Sequence, residues 1–212
     1  MKFLIAFQLF FFSLAFANDE VQLLDDEIFY QKGVELYDKG EFEKSFIIFF
    51  NLAQKGNKDA TFNMSNMFFE GIGTTQDYVE SLKYSWLCSL NGNKKCLKKI
   101  DKIKDRLDEK IFLSVAENIT KILENSFEEN LNSVDAFKLG YWYEKISPEI
   151  DLEKSYLWYS VSVSGGVYKA MKLRDRVGKQ LEKEKLYQIQ QEANKIFTKE
   201  KYFNQKEKKN DF

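Results

Sequence analysis

The 212-residue chain contains no histidine and a single proline, Pro148. Without histidine there is no Ser-His-Asp or Cys-His nucleophile, no histidine-ligated zinc, and no side chain whose ordinary pKa lies near neutrality. With one interior breaker, only glycine-bearing turns interrupt the chain, and it reads as helical throughout. An excess of one charge is missing as well: 32 Lys and Arg face 33 Asp and Glu, for a net charge of −1. Nucleic-acid binders concentrate Lys and Arg to displace counterions, so this balance argues against nucleic acid. Apart from the first seventeen residues no segment approaches the roughly 18 to 20 apolar residues that a membrane span needs. Only two cysteines occur, Cys88 and Cys96, in the stretch CSLNGNKKC. Taken alone they are compatible with a disulfide, a fragment of a metal site or two unrelated buried thiols.

What is present begins with MKFLIAFQLFFFSLAFA, in which Lys2 is followed by an apolar run ending in Ala15-Phe16-Ala17. One positive charge, an apolar stretch and a small-x-small end are the marks of a secretory signal peptide, so residues 1–17 are expected to be removed and the mature chain to begin near Asn18. Taking away Lys2 leaves 31 basic against 33 acidic side chains, a net charge of about −2. The expected location is secreted or periplasmic, with no membrane span after cleavage. Residues 18–27 form an N-terminal segment, and the remainder is long enough to bury a core as one domain or one compact repeat array.

The chain repeats itself at an offset of 74 residues. Tyr84 falls on Trp158, Cys88 on Ser162, Gly92 on Gly166, Cys96 on Ala170 and Ile103 on Val177. Upstream, Asp77 falls on Asp151 and Ser81 on Ser155. Downstream the apolar register continues from Leu107 on Leu181 to Ile122 on Ile196. In the first unit Phe62, Met64, Phe68 and Phe69 stand at helical spacing before the GIGTTQD loop, and Tyr78, Leu82, Trp86 and Leu90 follow it. Gly92 and Gly166 read as helix caps in the left-handed region. Helices are expected over about 94 to 107 and 110 to 125, each with a wide charged face that reads as solvated. A shorter relative, Ile28 to Ala60, precedes the units, with Gly33, Gly40 and Phe42 marking a helix, a tight turn and a second helix.

The pattern Ala60, Met64, Ser65, Phe68, Gly71, Gly73 and Asp77, continued by Ser81, Tyr84, Cys88, Gly92 and Cys96, resembles the Sel-one-like repeat, a variant of the tetratricopeptide repeat. A second copy is similar through Ala136, Leu139, Gly140, Tyr143, Asp151, Ser155, Trp158, Gly166 and Ala170, with Pro148 where the family has a Gly-x-Gly turn. The match covers roughly half of the mature chain. It implies an all-α, right-handed α-solenoid of antiparallel helix pairs, about ten helices in all. The expected divisions are a helix pair over 28–59, a repeat plus helix pair over 60–125, a second such unit over 126–200, and a disordered tail over 201–212. Stacking makes the core of such an array continuous, because no single pair can bury both faces.

In this register Cys88 ends the second helix of one repeat and Cys96 enters the first helix of the next. Secreted cysteine-rich members of the family look alike here, and the resemblance implies a Cys88–Cys96 disulfide, which an oxidising compartment would preserve. Metal binding is the weaker reading, since two cysteines without histidine leave carboxylates to complete a shell. A redox pair would more often be spaced two apart. Ser162 and Ala170 hold the corresponding places in the second unit, so the turn can close without the bond.

The resemblance implies a non-catalytic interaction or scaffolding module, binding a protein or peptide, with peptidoglycan or another glycan as a further candidate ligand. First helices of such pairs line the inner surface. Relative to the small residues Gly33, Ser65 and Gly140, this places Tyr30, Phe62 and Phe137 three positions earlier and Val34, Asn66 and Tyr141 one later as groove candidates. Their aromatic rings could instead pack between helices. An enzyme acting on β-lactams or the cell wall is the alternative that family association raises, and a secreted host-interacting effector is another. No serine is followed three residues later by lysine, as a serine acylase of that class requires, and Gly71-Ile72-Gly73 lacks the lysine of a phosphate loop. No catalytic residue, metal ligand or cofactor is therefore assigned, and a monomer is expected. If the groove assignment is right, the Phe62→Ala/Phe137→Ala pair lowers partner affinity with the melting temperature nearly unchanged; a collapse of that temperature would place both rings in the core.

Overall fold

A computed structural model describes the backbone over residues 25–210 and side chains over 25–199. The expected signal peptide 1–17 and the first part of the segment 18–27 lie outside the described residues. Among the described residues there are ten α-helices and no strand. They are α1 (25–38), α2 (Phe42–Gln54), α3 (Lys58–Glu70), α4 (Tyr78–Leu90), α5 (Lys95–Lys104), α6 (Glu109–Asn130), α7 (Ser133–Tyr141), α8 (Leu152–Ser164), α9 (Met171–Gly178) and α10 (Lys183–Asn210). The all-helical reading and the helix-pair order expected from the repeat pattern therefore hold. The backbone over 201–210 continues α10, where a disordered tail was expected.

Short polar residues begin half of these helices. Asn57, Asp77, Asp108, Asn132 and Asp151 each accept hydrogen bonds from backbone N–H groups of the first turn that follows. Those N–H groups have no partner inside the helix, which is why a side-chain oxygen at this place stabilises by about 1 kcal/mol. The capping pair Asp77 and Asp151 stands at the repeat offset read from the sequence, and Gly92 and Gly166 close α4 and α8 with φ of 90° and 98°.

The described residues divide into two compact units, with the division inside α5 between residues 99 and 100. In the first unit α2 packs on α3 and α3 on α4. Phe49, Leu52, Ala60, Met64, Met67 and Tyr84 form its buried cluster, with Tyr30, Val34, Phe46 and Phe68 packed against them. In the second unit α8 packs against α7, α9 and α10, and α6 lies on α7. The α6 side chains Phe112, Val115, Ala116, Ile119, Leu123 and Phe127 recur every three or four residues and are all buried, as an amphipathic helix requires.

One contact recurs in three of the helix pairs, α1–α2, α3–α4 and α7–α8. The Ser45 hydroxyl donates to the Gly33 carbonyl at 2.8 Å, Ser81 to the Ser65 carbonyl at 2.8 Å, and Ser155 to the Gly140 carbonyl at 3.0 Å. The helices come so close that a Cβ on Gly33 would lie 2.7 Å from Phe49, and one on Gly140 would lie 2.5 Å from Tyr159. Where the middle pair carries Ser65 in place of glycine, a small serine partner is opposite: the Ser65 and Ser85 hydroxyls are 2.6 Å apart.

Cys88 and Cys96 are disulfide-bonded, both fully buried, with Cα atoms 6.1 Å apart. The bond ties the end of α4 to the start of α5, and closing this short loop stabilises by roughly 2.5 to 3 kcal/mol in the loop-entropy account. In the second unit the Ser162 hydroxyl instead donates to the Ser133 carbonyl at 2.7 Å, and Ala170 is buried in a 3-10 turn, Tyr168–Ala170. The second copy also departs after α7. The chain runs into a π-helical turn, Trp142–Ile146, before Pro148, and this turn buries Trp142, Tyr143, Glu144 and Ile146. Trp86, Trp142 and Tyr159 are wholly buried, and Trp158 is half-buried with its ring 4.8 Å from that of Phe127.

Gly140→Ala places a methyl group against the buried Tyr159 ring and is expected to cost about 1 to 3 kcal/mol of unfolding free energy through overpacking. Denaturant unfolding measures it; a midpoint equal to wild type would mean that the two helices can separate freely at this point.

Candidate functional site

In the first unit three of the groove candidates meet. Tyr30 and Val34 on α1 and Asn66 on α3 line one recess of about 310 Å³, together with Tyr37, Phe49, Asn63 and Met67. Helical spacing explains the set: residues 30, 34 and 37 share one face of α1, and 63, 66 and 67 share the facing side of α3. The Asn63 amide donates to the Tyr30 hydroxyl at 3.3 Å, and the Tyr30 ring lies 5.5 Å from that of Phe49. Burial pushes the Tyr30 phenol up from its ordinary value, the Asn63 hydrogen bond opposing, so it presents a neutral hydroxyl. The recess thus offers two phenols and two amides on an apolar floor, without a charged side chain. Tyr37, Asn63 and Met67 were not singled out from the sequence, although they lie one helical step from residues that were.

Phe62, the fourth candidate of this unit, faces α5. The Lys95 ammonium lies 6.0 Å from the Phe62 ring centroid and that of Lys99 lies 4.7 Å from the Phe69 centroid, while Lys99 also donates to the Asn66 side chain. Asn66 is therefore shared between the recess and this row of lysines over aromatic rings.

The remaining candidates belong to the second unit. Phe137 and Tyr141, one turn apart on α7, stack with planes 4° apart and centroids at 6.5 Å. Phe137 also lies 5.9 Å from Tyr159, and the Lys169 ammonium sits 4.3 Å from its centroid. Phe137 and Phe62 are both half-buried.

A cluster that sequence reasoning missed lies beneath them. Glu144, on the π-helical turn, has a side chain only 3% exposed. It accepts from the Tyr159 hydroxyl at 2.9 Å and the Arg176 guanidinium at 2.5 Å, with the Lys145 ammonium at 3.2 Å. Its signal was hidden because a π-helical turn shifts the side-chain period, and an isolated Glu in a helix reads as solvated. Nearby, Tyr143 donates to Glu124 at 3.2 Å, at the edge of an open recess of about 390 Å³ lined by Glu117, Lys121, Glu124, Asp151 and Lys154. Burial, and then the adjacent Glu144 carboxylate, hold the Tyr159 phenol far above the usual tyrosine range. The same two causes, with Glu124 as the carboxylate, raise Tyr143. A neutral phenol donating to a paired carboxylate has no free base or nucleophile to offer.

No protein-family model and no curated protein matches the chain. Among solved structures it is similar to a protective antigen present in uropathogenic Escherichia coli strains displaying an SLR fold, at 13% identity and a TM-score of 0.30, over 75% of this chain and 43% of that one. The chain spans less than half the length of that protein, and a likeness this slight bears on neither ligand nor activity. The helix-pair architecture rests on the caps, hydroxyl contacts and packing described above.

Because the folded Tyr159 phenol keeps its proton where the unfolded one, near 10.0, loses it, the folded state binds more protons in that range and stability falls as pH rises above about 10. Tyr159→Phe is expected to lower the melting temperature at neutral pH and to flatten this alkaline decline. A decline as steep as wild type in the variant would assign the alkaline sensitivity elsewhere.

Proposed function

We propose that the protein is a non-catalytic scaffolding module that binds a protein partner by an extended or helical segment inserted at the α1–α3 recess. The observation that carries this reading is the convergence of Tyr30, Val34 and Asn66 on one recess with an apolar floor and neutral polar rims. Such a lining suits a partner's apolar side chain flanked by main-chain amides: Phe49 and Met67 offer contact area, and Tyr30, Asn63 and Asn66 offer both donors and acceptors. A first-helix face shaped in this way is how stacked helix pairs take extended ligands. Aromatic rings at such a place give contact area at low entropic cost, and central ones dominate affinity. Phe137 and Tyr141 in the second unit are a separate candidate surface, for the same partner or another. The buried disulfide fits a protein of an oxidising compartment, and we place the module outside the cytoplasm, secreted or periplasmic, after loss of residues 1–17. Among the described residues no helix is long and apolar enough to cross a membrane.

The test is affinity capture from an envelope extract of the producing cell, comparing wild type with Val34→Arg, which fills the recess without cutting into the buried cluster. A partner held by wild type and lost at least about tenfold by a variant of unchanged melting temperature supports the site. Equal retention by both proteins would remove the recess as the binding surface.

A further inference from the structure

The geometry points to a second surface, independent of the recess: the lysine face at the start of α5 docks the protein peripherally on an anionic phospholipid bilayer. The run KKCLKK, residues 94–99, holds four lysines and no acidic residue in a chain of net charge −1. Lys94, Lys95 and Lys98 are exposed, and Leu97 between them is 36% exposed, while Cys96 is wholly buried. Lys58, from the first turn of α3, joins Lys94 and Lys95 around a shallow recess of about 430 Å³ that Asp59 also lines. Among the described residues Lys58, Lys94, Lys95 and Lys98 form no ion pair, whereas most other exposed lysine and arginine contacts to carboxylates in the protein lie within its own helices.

Lys94, Lys95 and Lys98 at the start of α5, with Lys58 of α3 beside the first two, raise the local potential above that of a balanced surface. A bilayer suits this arrangement better than a peptide. Lysine is a flexible point charge without the directional fork of arginine, so it favours diffuse phosphate headgroups over a fixed carboxylate pattern. The lysines stand on the outside of a helix, and Leu97 among them can enter the interfacial layer as a single apolar contact. The disulfide anchors this face, since it fixes Cys96, in the middle of the run, to α4.

The test is cosedimentation with vesicles, using protein purified from the cell that makes it. Vesicles of phosphatidylcholine alone are compared with vesicles containing phosphatidylglycerol. Binding is expected only to the anionic vesicles, to weaken by about tenfold or more in Lys94→Glu/Lys98→Glu, and to vanish near 1 M salt. Lys94→Gln/Lys98→Gln, which adds no like-charge repulsion within the fold, should show a smaller loss in the same direction. The control Lys110→Glu/Lys172→Glu makes the same change in net charge at other exposed positions and should bind as wild type. Equal binding to neutral vesicles, an equal loss in the control, no vesicle binding at all, or capture of a soluble polyanion such as dextran sulfate without vesicle binding would each overturn the assignment.

Discussion

The close crossing of first and second helix within each pair is the constraint on which the rest of this structure depends. At Gly33, Ser65 and Gly140 the backbone of one helix lies against the side chains of the next, and a serine hydroxyl from the second helix satisfies a carbonyl of the first. A single such hydrogen bond contributes only about 1 kcal/mol. Its larger effect is geometric, because it fixes the rotation of each helix about its own axis. Once that is set, the position three before the small residue falls at the edge of the pair, where Tyr30 packs on Phe49 and Phe137 on Tyr159. In α1, Tyr30 and Val34 then meet the facing side of α3.

Two solutions to one structural problem stand side by side. After α4 the turn into the next helix is closed by a covalent bond between Cys88 and Cys96; at the corresponding places in the second unit Ser162 donates back to the Ser133 carbonyl at the start of α7, and the small Ala170 is buried. The bonded turn is the one that presents KKCLKK. Mutual repulsion of four lysines opposes order in the first turn of α5, and a cross-link that restricts the unfolded chain offsets it.

The buried Glu144 shows what the second copy gains by departing from the first. Its π-helical turn brings Trp142, Tyr143 and Glu144 inward together, and the carboxylate is satisfied by a phenol from α8 and a guanidinium from α9. Removing one partner of a buried charge costs more than the pair contributes when intact, so such a cluster specifies which helices meet more than it stabilises them. Tyr159 serves both devices: its ring closes against Gly140 and its hydroxyl reaches Glu144.

The sequence by itself determined the helices, their order and their ends. A single proline, periodic apolar positions and capping Asn and Asp residues are local signals, each readable within a turn or two of chain, and the 74-residue register of Asp77 with Asp151 and Ser81 with Ser155 repeats them. The Cys88–Cys96 bond was implied by the resemblance to the Sel-one-like repeat, and the two cysteines are disulfide-bonded. Only the tertiary structure decided which side of each candidate ring faces a neighbour. Tyr30, Val34 and Asn66 share a recess, Phe62 lies under a lysine of α5, and Phe137 is drawn against Tyr159. These outcomes depend on how closely two helices far apart in sequence approach and at what rotation, which no spacing along a single helix encodes. The Glu144 cluster was hidden for the same reason, since its partners stand 15 and 32 residues away and its own turn breaks the helical period.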